Sequence, residues 1–157
     1  MYRTSSNQSG DLSEQRVATF IMSRGMMVLE PKSRDATYDL VIENGKHKFE
    51  TVQVKTMQGN SICKEVDRSN EVVCKDGKTR NSINYAEEGI DWLIGVHKET
   101  GECYCYKHET YSEIPTKSFS VLVYPPDEFP THVVPSNNKR KKFQAAIEEI
   151  IAENETV

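Results

Sequence analysis

The chain has 157 residues, the size of one domain with an ordinary buried core. Its 36% hydrophobic and 28% charged residues, with no apolar run near the ~18 residues of a membrane helix, exclude an integral membrane protein and a disordered chain. The formal net charge of -4 argues against a general polyanion binder. The first residues also lack the apolar core of a signal peptide, so we expect a cytoplasmic protein.

The first predicted element is a helix over residues 12–23, which follows a loose polar leader at residues 1–10. Asp11 and Glu14 have the capping-box spacing, with Asp11 as the N-cap. Gly25 follows the last turn and is the expected C-cap.

Three strands are predicted after this helix. Residues 26–29 form a short apolar run, and residues 38–42 form a second one. Asn44-Gly45 is a strong hairpin turn, and residues 47–57 make the third strand.

The third strand alternates between two kinds of side chain. Val52 and Val54 lie on one face, which predicts the core, while Gln53 and Lys55 lie together on the other. Asp39 begins the neighbouring strand. The first helix could cover the face of Gln53 and Lys55 and bring its acidic first turn to the same point.

A polar, basic excursion with one or two short strands is predicted over residues 58–81. Residues 91–96 and 102–106 form a second hairpin, residues 117–124 a further strand, and residues 139–153 an amphipathic C-terminal helix. The whole chain is therefore expected to be a single α+β domain.

The four cysteines form no C-x-x-C pair. Cys103 and Cys105 share one face of a predicted strand, with His108 just beyond, so a metal site is one interpretation. Packing of small apolar thiols is the interpretation that we prefer.

The acid, amide and lysine of the strand pair suit metal-assisted cleavage of a phosphodiester bond. Asp39 and Glu14 are the carboxylates that we select to hold the metal, and the backbone carbonyl of Val54 could complete the protein ligands. Gln53 could offer its carbonyl oxygen or place a water, and Lys55 could orient or deprotonate that water or pair with the phosphate.

Each of these residues has an alternative interpretation. Glu14 could serve only as the capping-box partner of Asp11. Asp39 could simply end a loop, and Lys55 could be a solvated lysine at a strand edge. Their joint spacing in this topological order favours the nuclease interpretation.

Helix Glu14, strand Asp39 and the segment from Gln53 to Lys55 resemble the PD-(D/E)XK nuclease superfamily. Their order is especially similar to that of the cyanobacterial-type group I intron homing endonucleases, and more distantly to that of archaeal Holliday-junction resolvases. Residues 81–85 and 90–93 add to the similarity with the homing branch. The resemblance extends over roughly residues 10–130.

The chain departs from the superfamily pattern at two places. Thr37-Tyr38 replaces the proline of the motif, and Gln53 stands where most members have Asp or Glu. A Gln at this place is known in the homing branch. Glu50 is excluded as a substitute acid, because its parity places it opposite Gln53 and Lys55.

The resemblance implies a mixed β-sheet flanked by helices, a Mg²⁺ cofactor with Mn²⁺ as a substitute, and a homo-oligomer, dimeric or tetrameric, that cuts double-stranded DNA at specific sites. A Holliday-junction resolvase and a catalytically inactive DNA-binding relative are the alternatives. The candidate DNA contacts are basic residues on the excursion and just before the second strand: Lys32, Arg34, Lys64, Arg68, Lys75, Lys78 and Arg80.

Overall fold

The computed structural model describes residues 6–33, 35–45, 47–131 and 136–155. In chain order, its elements are α1 (Ser6–Ser23), β1 (Met27–Leu29), β2 (Leu40–Glu43), β3 (Phe49–Thr56), β4 (Ser61–Cys63), β5 (Glu65–Val73), β6 (Thr79–Asn84), β7 (Trp92–Val96), β8 (Cys103–Lys107), α2 (His108–Tyr111), β9 (Ser118–Ser120) and α3 (Ser136–Glu155). Within these ranges, no helix is long and apolar enough to cross a bilayer.

A mixed sheet of five strands organises the fold, in the order β1-β2-β3-β7-β8. Strands β3 and β7 are parallel, and every other neighbouring pair in this sheet is antiparallel. Strands β4 and β9 form one two-stranded sheet, and β5 and β6 form another. The α+β fold with a mixed sheet and flanking helices is therefore confirmed.

The first helix begins earlier than its capping box predicts. It includes Ser6, so Asp11 lies inside the helix and the prediction that it is the N-cap is wrong. Residues 6–10 are helical rather than a loose leader, while residues 1–5 lie outside the described residues. A capping-box pattern can also occur within a helix, because nothing in residues 6–10 forbids helical backbone angles.

The end of α1 agrees with the prediction. Gly25 has a φ of 83°, which favours glycine, and its N–H donates to the Met22 carbonyl at 3.0 Å. The Met26 N–H reaches the Ile21 carbonyl at 3.5 Å, so the helix ends in a Schellman motif. Ile21 and Met26 are both buried, which supplies the apolar contact of that motif.

Helix α1 packs on the sheet face of Val52 and Val54, and not on the face of Gln53 and Lys55 that the sequence left as one option. Its Val17 and Ile21 are fully buried in one cluster with Val52 and Val54. The apolar stripe of the helix packs on this apolar face, while residues of the excursion and β9 cover the face of Gln53 and Lys55.

The excursion covers the second face of the sheet. Ile62, Ile83 and Phe119 from its strands and from β9 pack with Leu93 and Tyr106 of the central sheet. The excursion contains three strands, not one or two, and β5 alone has nine residues. Long-range pairing with β6 and β9 stabilises segments whose local pattern is weak.

The C-terminal part contains further differences from the prediction. Strand β9 has only three residues, Ser118–Ser120, instead of residues 117–124. The predicted terminal helix is present as α3, and it exposes Ile147, Ile150 and Ile151. Cys105 is buried in the core, with Cys103 packed against it.

Gly95 on β7 allows the excursion to approach the central sheet closely. A Cβ atom at this position would lie 2.7 Å from Ile62 Cγ1 and 3.0 Å from Met57 Cγ. We expect Gly95→Ala to lower the free energy of unfolding by about 1–3 kcal/mol through overpacking, as measured by urea denaturation. Gly10→Ala is the control, since a Cβ there meets no atom within 4 Å, and it should stabilise helix α1. Equal stability of Gly95→Ala and the wild type would contradict this packing.

Candidate active site

Asp39 is held against β3 by its backbone and by its carboxylate. Its N–H donates to the Val52 carbonyl at 2.9 Å. Its Oδ2 accepts hydrogen bonds from the Val54 N–H at 3.0 Å and from Gln53 Nε2 at 2.7 Å. Asp39 and Gln53 therefore meet as the sequence predicts, although Asp39 lies immediately before β2 and not within it.

Gln53 is only 5% exposed, and its amide is oriented by two acceptors. Nε2 donates to Asp39 Oδ2 and lies 3.3 Å from the Val54 carbonyl oxygen. The Oε1 atom is buried and has no hydrogen-bond partner among the described residues. An unsatisfied buried acceptor costs about 1–3 kcal/mol, so a ligand that engages Oε1 would remove this cost.

Glu14 reaches the same point from helix α1, although the helix covers the other sheet face. The adjacent Ser13 Oγ lies 2.7 Å from Thr56 Oγ1 of β3, which fixes this turn of the helix at the end of the strand. Glu14 and Asp39 line one cleft of about 630 Å³, together with Tyr38.

The two carboxylates influence each other. Burial, together with the charge and the hydrogen bonding of Asp39, raises the pKa of Glu14 to about 7. Burial also raises the pKa of Asp39, while the Val54 N–H opposes this effect. Full ionisation of both groups is therefore unfavourable unless a cation accompanies it.

The pH dependence of the free energy of unfolding should report the raised pKa of Glu14. Between its ordinary pKa of 4.5 and about 7, the folded protein holds a proton that the unfolded chain has released. Stability of the protein in EDTA should therefore fall from about pH 5 to about pH 8, and Glu14→Gln should flatten this decline. Urea denaturation at both pH values measures the effect. Equal declines in the two proteins would show that Glu14 is not the titrating group.

Lys55 lies on the same strand face as Gln53, as its parity predicts. Its ammonium lies 5.1 Å from the centroid of the Tyr85 ring, which is a cation–π contact. Burial lowers the pKa of Lys55, and the Asp39 carboxylate opposes this shift. Buried Tyr85 thus touches the candidate catalytic lysine.

The predicted DNA contacts separate into three groups. Arg68 is half-buried and lines the cleft of Glu14 and Asp39. Lys64 is only 6% exposed, and its ammonium donates to the carbonyls of Tyr111 and Ile114. Its role as a surface contact is therefore wrong, because the alternation of β4 into β5 turns this lysine inward.

The remaining basic residues are peripheral to the cleft. Lys32 is exposed in the loop that leads to β2, and Arg34 lies outside the described residues. Lys75, Lys78 and Arg80 are exposed at the turn between β5 and β6. No local sequence signal distinguishes Arg68 from these residues, since only the folding of the excursion brings it to the cleft.

The donor atoms of the site suit a hard divalent cation. Two carboxylates, the unsatisfied Gln53 Oε1 and the Val54 carbonyl offer only oxygen, the ligand type that Mg²⁺ prefers. The described residues contain no group of three or more His, Cys, Asp or Glu side chains that could hold a metal. A cation here would therefore rely on two acids and neutral oxygens, with Glu14 and Asp39 supplying the charge.

Comparison with known proteins shows the fold and the family of this chain. A bacterial homing endonuclease, I-Ssp6803I, has a similar fold, with a TM-score of 0.57 and 17% sequence identity over 96% of this chain and 98% of that one. No curated protein matches the sequence significantly. The family model for PD-(D/E)XK endonucleases matches residues 4–146. Since this match spans nearly the whole chain and confirms the resemblance seen in the motif residues, the chain belongs to the PD-(D/E)XK endonuclease family.

Proposed function

We propose that this protein is a metal-dependent, site-specific endonuclease of the homing type, which hydrolyses phosphodiester bonds of double-stranded DNA. The observation that carries the proposal is the convergence of Asp39 and Gln53, hydrogen-bonded at 2.7 Å, with Glu14 beside the same cleft. Lys55 on the neighbouring part of β3 completes the set.

Glu14, Asp39 and the Val54 carbonyl would hold the cation, with Mg²⁺ the expected ion and Mn²⁺ a substitute. Family members generally use divalent metals. When bound, such an ion supplies Lewis-acid stabilisation of the charge that develops on the phosphate. Both carboxylates would then be ionised, because the positive charge would offset the burial and the Asp39 charge that raise the pKa of Glu14.

Lys55 is the proposed base for the attacking water. Burial lowers its pKa, which increases the fraction of neutral amine at physiological pH. The Tyr85 ring limits the positions that the Lys55 side chain can adopt. Gln53 orients the water through its amide, while its Nε2 stays engaged with Asp39.

The hairpin of β5 and β6 is the proposed DNA-reading element. A two-stranded antiparallel ribbon fits the major groove of B-DNA, and Lys75, Lys78 and Arg80 lie exposed at or next to its turn. Lys32 would contact the DNA backbone nearer to the cleft. This ribbon favours linear duplex as the substrate over a four-way junction.

A homo-oligomer, dimeric or tetrameric, is part of the proposal. Each chain carries one candidate site, so cutting both strands symmetrically requires at least two copies. Helix α3 exposes Ile147, Ile150 and Ile151, an apolar set that a partner chain could cover.

Incubation of the purified protein with a pooled duplex DNA library and Mg²⁺, followed by sequencing of cut ends, tests this function. We expect cuts at one recurrent sequence, and none with Asp39→Ala or with EDTA. Preferential cutting of synthetic four-way junctions would favour the resolvase alternative. Absence of cutting at all salt and metal concentrations would favour an inactive DNA-binding relative.

A further inference from the structure

Arg68 occupies an irregular part of the β5–β6 hairpin. Asp67 pairs with Ser82, and Val72 pairs with Arg80, so residues 68–71 of β5 lie opposite a single residue of β6. Bulges of this kind bend a strand and redirect its side chains, and they are frequent next to active sites. Arg68 is the first residue of this irregular segment and follows the last regular pair of the hairpin directly.

The side chain of Arg68 lies at the candidate catalytic centre. It is half-buried and lines the cleft of about 630 Å³ together with Glu14, Tyr38 and Asp39. Burial raises the pKa of Asp39 and lowers that of Lys55, and the positive charge of Arg68 lowers the pKa of both groups. Arg68 is thus the one predicted DNA contact, among the described residues, that lines the cleft of both carboxylates.

The guanidinium of Arg68 is not engaged elsewhere. It makes no hydrogen bond and no ion pair in the part of the chain that the structure describes. Arg80 on the same hairpin differs, since its two terminal nitrogens bind both oxygens of Asp76, at 3.0 Å and 2.5 Å. The N–H donors of the planar Arg68 guanidinium are therefore available for a ligand. A phosphate can accept two parallel hydrogen bonds from these donors.

We propose that Arg68 is a catalytic residue that binds the scissile phosphate in the cleft of Glu14 and Asp39. This inference rests on the proposed endonuclease function and extends it. The guanidinium neutralises the charge that develops on the phosphate as water attacks, and it forms and breaks no covalent bond. Arg68 belongs to the proposed DNA-reading hairpin. Binding of that hairpin in the groove would therefore also position the Arg68 guanidinium at the scissile phosphate.

A different role for Arg68 makes a different prediction. If Arg68 only balances the charge of the two carboxylates, it would stabilise the protein without DNA. Its effect on DNA binding would then not depend on the charge of the scissile phosphate. The test must therefore vary the arginine and the phosphate together, since a double-mutant cycle isolates the interaction of the two.

The first readout is the single-turnover cleavage rate with the enzyme in saturating excess over the DNA, with the recognition sequence taken from the library experiment. Arg68→Ala should lower this rate by about 10²- to 10³-fold, and Arg68→Lys should recover part of it, since lysine keeps the charge but not the fork. Lys117→Ala is the matched control, because Lys117 pairs with Glu65 at the start of β5 and lies outside the cleft. It should cleave at the wild-type rate.

The second readout is binding in EDTA to the same duplex and to one with a neutral methylphosphonate at the cleaved position. The affinity ratio of normal to modified duplex should be about tenfold smaller for Arg68→Ala than for the wild type. An unchanged ratio, or a wild-type cleavage rate in Arg68→Ala, would overturn the proposal for Arg68 while leaving the nuclease function intact. If the wild-type protein cuts no DNA, both proposals fail.

Discussion

Lys55→Met should lower the single-turnover rate of DNA cleavage by about 10²- to 10⁴-fold, which is the range for loss of a general base. Methionine retains most of the apolar length that packs beside Tyr85, so the protein should fold normally. DNA affinity should change little, because the half-buried ammonium contributes to the reacting centre more than to the binding surface. Rapid-quench cleavage assays with excess enzyme measure the rate directly.

The pH profile makes this prediction more specific. Burial lowers the pKa of Lys55, so the wild-type rate should rise with pH through a pKa below the ordinary lysine value of about 10.4. The residual rate of Lys55→Met should lack this rise. Lys48→Met, which changes an exposed lysine just before β3, provides the control and should behave as the wild type. A Lys55→Met rate within a few-fold of the wild type would exclude Lys55 as the base.

Asp39→Asn should remove metal-dependent cleavage, with a rate loss of about 10³-fold or more, equivalent to about 4 kcal/mol of transition-state stabilisation. Asparagine keeps the size of the side chain and can still accept the hydrogen bond from the Val54 N–H. It lacks the negative charge that, with Glu14, would hold a divalent cation. The lower cleavage rate of Asp39→Asn would therefore result from the missing carboxylate charge more than from altered packing.

Metal binding to Asp39 can be measured without DNA. A ligand that binds only the folded state stabilises it, by about 2.7 kcal/mol at a concentration of 100 times Kd. Mg²⁺ should therefore raise the Tm of the wild type but not that of Asp39→Asn. Asp35→Asn, in the exposed loop before β2, should keep the wild-type response. An equal rise in Asp39→Asn would place the metal elsewhere.

The alternation of β3 was readable from the sequence because side chains in a strand point to opposite faces with a period of two. It correctly grouped Gln53 with Lys55 and Val52 with Val54. It also correctly excluded Glu50, whose carboxylate accepts hydrogen bonds from Trp92 Nε1 and from Asn44 on the other side. Strand parity is a local property, so it does not depend on the rest of the fold.

The errors have both local and long-range causes. The capping-box pattern placed the helix start at Asp11, but the helix extends back to Ser6. The basic residues of the excursion looked equivalent in sequence, yet Lys64 is buried against α2 and its neighbouring turn, while Arg68 reaches the cleft. Which lysine or arginine points inward depends on how the excursion packs on the sheet.

The sequence by itself determined the grouping of Asp39, Gln53 and Lys55, the family resemblance and the α+β class. The hydrophobic periodicity, the turn residues and the motif spacing that predict them each depend on residues close together in the chain. Only the tertiary structure decided that α1 covers the face of Val52 and Val54, and that Glu14 nevertheless reaches Asp39 around the end of β3. It also decided that Arg68, in the irregular part of β5, lines the same cleft. These outcomes follow from packing between residues far apart in the chain, which local sequence patterns do not predict.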